Sequence, residues 1–319
     1  MKSSWMLAAA GLALFSSLAC AQRPPGVTPE QVATALPEEG APKAIFGTYA
    51  VMNQLAFGND NLKVFRPTDL ANFPQKDKLP VLVWGNGGCA INVGRYAGFL
   101  ETIASHGFLV IGTNAGTQPP AAANPSAAAP QGAPGAPGAG AGGPRARSAT
   151  AADLLAGINW AEAENAREGS PLKGKIDTQH VAVMGQSCGG MLSMELGADP
   201  RVKTIGVFNA GLQPDKMDEL KKLHGPVLFI NGHERDFMWK PSKATFDALE
   251  KLPAFYGARH GAGHTATAYH PGGGEFANVA TNWVLWQFKH DNKAAKMFVG
   301  RHCGLCTNSN WDAESKRLK

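Results

Sequence analysis

The sequence predicts an α/β fold: a mostly parallel central sheet flanked by helices, entered through an N-terminal antiparallel hairpin. Three observations carry this expectation. Short, wholly apolar runs recur along the chain, several end in a glycine-rich or polar loop, and stretches with helical spacing lie between them. Strands buried on both faces read as continuous apolar runs, and parallel pairing requires a crossover long enough to hold a helix.

The elements follow in order. Tyr49 to Leu55 and Leu62 to Phe65 flank the turn-forming run Gly58 to Asn61, which predicts the hairpin. Leu79 to Trp84 is a buried strand that delivers the loop Gly85-Asn86-Gly87-Gly88, and Tyr96 to Ser105 carries helical spacing before the strand Phe108 to Ile111. Ala149 to Ala163 predicts a helix that buries Leu154, Leu155, Ile158 and Trp160. His180 to Met184, Ile205 to Phe208 and Val227 to Ile230 are further strands, with Ala254 to Ala258 as the last. Gly189 to Gly197 and Phe276 to Phe288 read as helices packed on the sheet.

The chain of 319 residues is long enough for one large catalytic domain, expected over 44–290, with a tail at 291–319. Residues 1–21 read as a secretory signal peptide: Lys2, then an apolar stretch from Trp5 to Ala19, then small residues up to Ala21. Lipid attachment at Cys20 is the less favoured alternative, because Ser17 stands where leucine is usual. A retained membrane span is disfavoured because the stretch falls short of the ~20 apolar residues a span needs. Residues 22–43 read as a linker or loose arm. Residues 119–147, nearly all Ala, Pro and Gly over most of their length, read as a disordered insertion that lacks the apolar surface to offset its ordering entropy. Net charge is +5, yet no run of five like charges occurs, which argues against nucleic-acid binding. The expected location is secreted or periplasmic.

The strongest chemical signal is Gly185-Gln186-Ser187-Cys188-Gly189, directly after a buried strand and before a helix. Gly-x-Ser-x-Gly in that setting is a nucleophile elbow, a turn so tight that the positions two before and two after the serine must lack a side chain. The N–H of Cys188 then points at a developing oxyanion. An acid is expected where a later strand delivers it: Asp236 after Val227 to Asn231, with Glu234 as competitor. A base is expected after the last strand, at the glycine-flanked His264, with His260 as competitor. The second oxyanion donor is expected from the loop after Trp84, at the N–H of Gly88, with Cys89 second. Phe237 and Trp239 could line a substrate cleft or be buried as core.

Without the signal, four cysteines remain, and in an oxidising compartment they allow two disulfides in three connectivities. Because Cys89 and Cys188 sit on the two oxyanion loops, a Cys89–Cys188 disulfide would tie the donors together. Cys303 would then pair with Cys306 in the tail. Unpaired thiols acting as small apolar fillers at Cys89 and Cys188 are the alternative. Redox or zinc chemistry at Cys303 and Cys306 lacks the context of either.

The run from Lys175 to Ser187, the segment Ala104 to Val110 and the glycine-flanked His264 resemble the α/β-hydrolase superfamily, in its dienelactone-hydrolase and bacterial cutinase (polyester hydrolase) branch. The order serine, acid, histidine agrees with that fold. The resemblance covers about residues 45–290. It implies secreted hydrolysis of small-molecule or polymeric carboxylic esters, with no metal or organic cofactor. The chain departs from the polyester hydrolases at two places where they commonly carry an aromatic ring, Gly88 and the loop near Asn209 to Gly211. Acyl transfer to another acceptor, peptide hydrolysis by the same triad, and a non-catalytic binding role on the same fold stand as alternatives.

Overall fold

In β3 (Leu79–Gly85), Leu79, Val81 and Val83 enter one apolar cluster, while Leu82 and Trp84 enter the other. This follows from the two-residue period of a strand: successive side chains leave opposite faces, so a strand apolar at every position must be covered twice. Such a strand can sit only in the middle of a layered molecule. The computed structural model describes residues 36–73, 77–114 and 147–319. The expected signal peptide, residues 22–35 of the expected arm and the Ala/Pro/Gly insertion up to residue 146 lie outside the described residues.

The remaining strands are β1 (Val51–Ala56), β2 (Asn59–Pro67), β4 (Leu109–Thr113), β5 (Ile176–Gln186), β6 (Val202–Phe208), β7 (Val227–Gly232), β8 (Ala254–Arg259) and β9 (Trp311–Lys316). They form one sheet in the order β1-β2-β4-β3-β5-β6-β7-β8-β9. From β4 to β8 all pairings are parallel, whereas the hairpin at one edge and β9 at the other are antiparallel. The α/β class with an N-terminal hairpin is therefore what the chain forms.

Helices α1 (Ala97–Ala104) and α5 (Gly274–Lys289) cover the face that buries Trp84, Phe99, Phe276 and Trp283. Helices α2 (Ala151–Ala166), α3 (Cys188–Leu196) and α4 (Trp239–Ala248) lie on the other, over Val83, Ile111, Ile205 and Phe229. Burying each such side chain contributes about 1.5–3 kcal/mol. At the start of α2, Thr150 and Asp153 form a reciprocal capping box that satisfies N–H groups the helix itself leaves open. Among the described residues no helix is long and apolar enough to cross a membrane.

The sheet does not end at β8, as expected from the apolar runs. β9 pairs along the whole of β8, from Ala254 opposite Lys316 to Arg259 opposite Trp311. Its sequence is mostly polar because an edge strand is held by backbone pairing and needs little apolar surface. Trp311 is its anchor, buried and donating its indole N–H to Glu275 Oε1 at 2.8 Å. The segment expected as a tail thus completes the sheet, and the Cys303–Cys306 disulfide closes a turn shortly before it.

Candidate active site

The site grows from the end of β5. Gly185 and Gly189 flank Ser187 so closely that a side chain at either would strike the backbone of the other loops: Gly189 at the first position, Gly85 at both. Ser187 is held at φ 54°, ψ −120°, a conformation that costs a non-glycine residue about 1–3 kcal/mol. The turn is fastened by the Ser187 N–H, which donates to the Phe208 carbonyl at 2.8 Å. Its consequence is a serine hydroxyl standing above the strand end, directly ahead of α3, whose first amides have no intrahelical acceptor.

His264 lies in the loop after β8, and its Nε2 is 2.9 Å from Ser187 Oγ. Its Nδ1 is 2.8 Å from Asp236 Oδ1. An ionised carboxylate only accepts, so Nδ1 carries the proton and Nε2 is left to accept from the serine hydroxyl. Both side chains are buried. Asp236 is further held by the amides of Met238 (2.9 Å) and Gly232 (3.2 Å) and by Asn209 Nδ2 at 2.7 Å. The acid and histidine loops are joined directly: His233 N–H donates to the Ala262 carbonyl, and Arg235 bridges to Gly263.

The competitors fall elsewhere. His260 points its Nε2 at Asp312 Oδ1, 2.9 Å away, and exposed Glu234 pairs with His233. Phe237 stacks over the His264 ring at 4.1 Å between centroids, so it borders the site. The Trp239 ring packs on His233 at 4.0 Å and against the apolar cluster of its sheet face.

Opposite the elbow, Gly87–Cys89 forms a single tight turn in which Gly88 has φ 64° and Cys89 has φ 50°. Asn86 steadies it, with Nδ2 donating to the Ala90 carbonyl at 2.9 Å and to Thr113 Oγ1 at 3.0 Å. A Cys89–Cys188 disulfide, with Cα atoms 5.2 Å apart, ties this turn to the start of α3. Gly88 is exposed, and a Cβ placed on it would meet nothing within 4 Å, so the turn is open at this position.

Three supporting residues escape sequence reasoning: Asn209, Gln186 and Tyr96. Asn209 adopts φ 48° after β6, and an asparagine tolerant of that conformation just past a strand is the one signal it offers. Gln186 Nε2 donates to the His264 carbonyl at 2.8 Å, and its Oε1 accepts from Tyr96 Oη at 2.7 Å. Tyr96 Oη in turn accepts the Gly87 N–H at 3.2 Å. Burial, with Tyr269 beside it, pushes the Tyr96 hydroxyl far above its ordinary value, so it stays protonated and donating. One chain of hydrogen bonds therefore links the Gly87–Cys89 turn, the elbow and the histidine loop.

Among family models, that of platelet-activating factor acetylhydrolase, isoform II, matches residues 163–294, the stretch holding Ser187, Asp236 and His264. No curated protein matches the chain. The match is to an acetylhydrolase family and not to the dienelactone-hydrolase or cutinase branch that the sequence resembles; the superfamily is what the two have in common. Sheet order, flanking helices and this match together make the chain an α/β-hydrolase-fold serine hydrolase of the carboxylic-ester class.

Proposed function

We propose that the protein hydrolyses carboxylic esters through an acyl-enzyme on Ser187, with His264 as general base and Asp236 as the acid that orients it. The observation that carries the reading is the unbroken line Asp236–His264–Ser187 at the end of a strained elbow. His264 takes the serine proton as Oγ attacks the ester carbonyl, and the carboxylate of Asp236 stabilises the imidazolium that forms. The oxyanion is received by the N–H groups of Cys188 and Gly88. The Gly87 and Ala90 amides of that turn are engaged with Tyr96 Oη and the Gly87 carbonyl, which supports Gly88 or its neighbour Cys89 as the donor. Each such donor is worth about 3–4 kcal/mol in the transition state. His264 protonates the departing alkoxide, then activates the water that releases the acid. The base acts in its neutral form, with Nε2 free to accept the serine proton.

The name of the matching family supports a short acyl group, acetyl first, as the preferred substrate. Phe237, stacked on the histidine, serves as one wall of the cleft. Two disulfides support an oxidising location, secreted or periplasmic. The test is hydrolysis of p-nitrophenyl esters from acetate upward, beside Ser187→Ala. We expect acetate to be preferred and kcat to fall on the order of 10⁵- to 10⁶-fold in the variant. A fluorophosphonate probe should label the native chain only; labelling or turnover that survives Ser187→Ala removes the reading.

A further inference from the structure

Behind the acid and histidine loops, three residues from three segments converge. His233 follows β7, His260 follows β8 and Asp312 lies in β9, and their ligand atoms all lie within 4.8 Å of one another. His233 Nε2 is 2.9 Å from Asp312 Oδ2, and His260 Nε2 is 2.9 Å from Asp312 Oδ1. From this we infer that the chain carries a binding site for zinc or a similar divalent transition cation, formed by His233 Nε2, His260 Nε2 and the Asp312 carboxylate.

Both ring nitrogens of His233 face carboxylate oxygens. Its Nδ1 faces the carboxylate of Glu234 and its Nε2 faces that of Asp312. A neutral imidazole has one N–H, so it can donate to only one of these acceptors. With the proton on Nδ1, the Nε2 lone pair is turned toward carboxylate oxygen, an arrangement that a cation placed between them converts from repulsion to attraction. Carboxylate on the far nitrogen of a metal-bound histidine is also the arrangement that fixes the ring and raises its basicity.

The surroundings hold the donors in place. The His233 ring packs against Trp239 at 4.0 Å in a tilted contact and meets His260 edge to face at 4.7 Å. The His260 amide donates to the Asn310 carbonyl, and β8 and β9 pair continuously across Ala258 and Asp312. Zinc bonds of 2.0–2.1 Å in a tetrahedron set the donors about 3.4 Å apart, within reach of small side-chain rotations from the spacing found. Two imidazoles and one carboxylate suit zinc, cobalt or nickel and not calcium, which prefers all-oxygen shells. The two carboxylates of Glu234 and Asp312 match the charge of a divalent ion, and the exposed side of Asp312 leaves room for water as the fourth ligand. His233 and His260 stand three and four residues before Asp236 and His264, so an ion here clamps the two loops that carry the acid and the base.

The experiment uses tag-free full-length protein, stripped with EDTA, in calorimetric titration with zinc chloride. It is paired with the visible spectrum of the cobalt-loaded chain and with melting curves. We expect one ion per chain, a cobalt d–d band of a nitrogen–oxygen site, and a rise in Tm of about 5 °C at saturating zinc. Binding should be lost in His260→Gln and Asp312→Asn and weakened about tenfold in Glu234→Gln. Calcium should leave Tm unchanged. Absence of 1:1 heat and of the cobalt band in the native chain overturns the inference whatever the variants do. So does zinc binding that survives both His260→Gln and Asp312→Asn, or a calcium shift equal to that of zinc.

Discussion

The two walls around Ser187 are held by different means. On the elbow and acid–base side, order comes from backbone geometry and a dense set of short hydrogen bonds: glycines at 185 and 189 that admit no side chain, and three donors on Asp236 besides the histidine. On the side of the Gly87–Cys89 turn, two left-handed residues are held by side-chain and covalent ties: Asn86 to Thr113, Gly87 to Tyr96 and, across 99 residues, Cys89 to Cys188. The first side is rigid because its strain is trapped between close-packed strands. The second is rigid only as far as its tethers hold. The proposed catalysis needs both, since an oxyanion donor that must reorganise during the reaction loses much of its worth.

Removing the tethers one at a time sharpens this contrast. The largest effect is expected from replacing both Cys89 and Cys188 by alanine. Closing a loop of that length stabilises a fold by about 3–5 kcal/mol, so the midpoint of denaturant unfolding should drop accordingly. Because Asn86 and Tyr96 still hold the turn, kcat should fall less than about tenfold; a far larger fall would make the disulfide the turn's principal support. Next comes Asn209→Ala on the acid side. It removes one charge-assisted bond, worth about 1.5–3 kcal/mol, from a buried carboxylate. Ester kinetics should show kcat reduced about tenfold or more with KM little changed, and an unaltered kcat would remove Asn209 from the positioning of Asp236. Smallest is Tyr96→Phe, which takes the acceptor from the Gly87 amide and the donor from Gln186 at a cost of about 1–2 kcal/mol. Its effect on kcat should be the smallest of the three, since the hydroxyl acts only through Gly87 and Gln186; a change in stability alone would reduce it to a core bond.

Legibility in the sequence followed the same division. The parallel strands, the elbow and the loops after β7 and β8 all lie in or beside continuous apolar runs, and Ser187, Asp236 and His264 could be read from their positions relative to those runs. β9 could not, because Trp311–Lys316 owes its place to pairing with β8 and offers a single large apolar residue. Helix α4 escaped for a related reason: its early Pro241 and polar positions give no continuous apolar stripe, although proline in a first turn is compatible with a helix. Trp239, which the sequence left open between cleft wall and core, packs on His233 and against the apolar cluster, a choice that depends on which way one turn of backbone faces.

By itself the sequence determined the layered architecture, since apolar runs at every position force coverage on both faces, and the strained turn at Ser187, since only glycines fit beside it. It also determined the order of serine, acid and histidine along the chain. Only the tertiary structure decided that His264 and not His260 meets the serine, that Asn209, Gln186 and Tyr96 brace the site, and that Asp312 brings His233 and His260 together. These are contacts between segments tens of residues apart or more, and their partners are chosen by how strands pack and pair, which no local pattern of residues encodes.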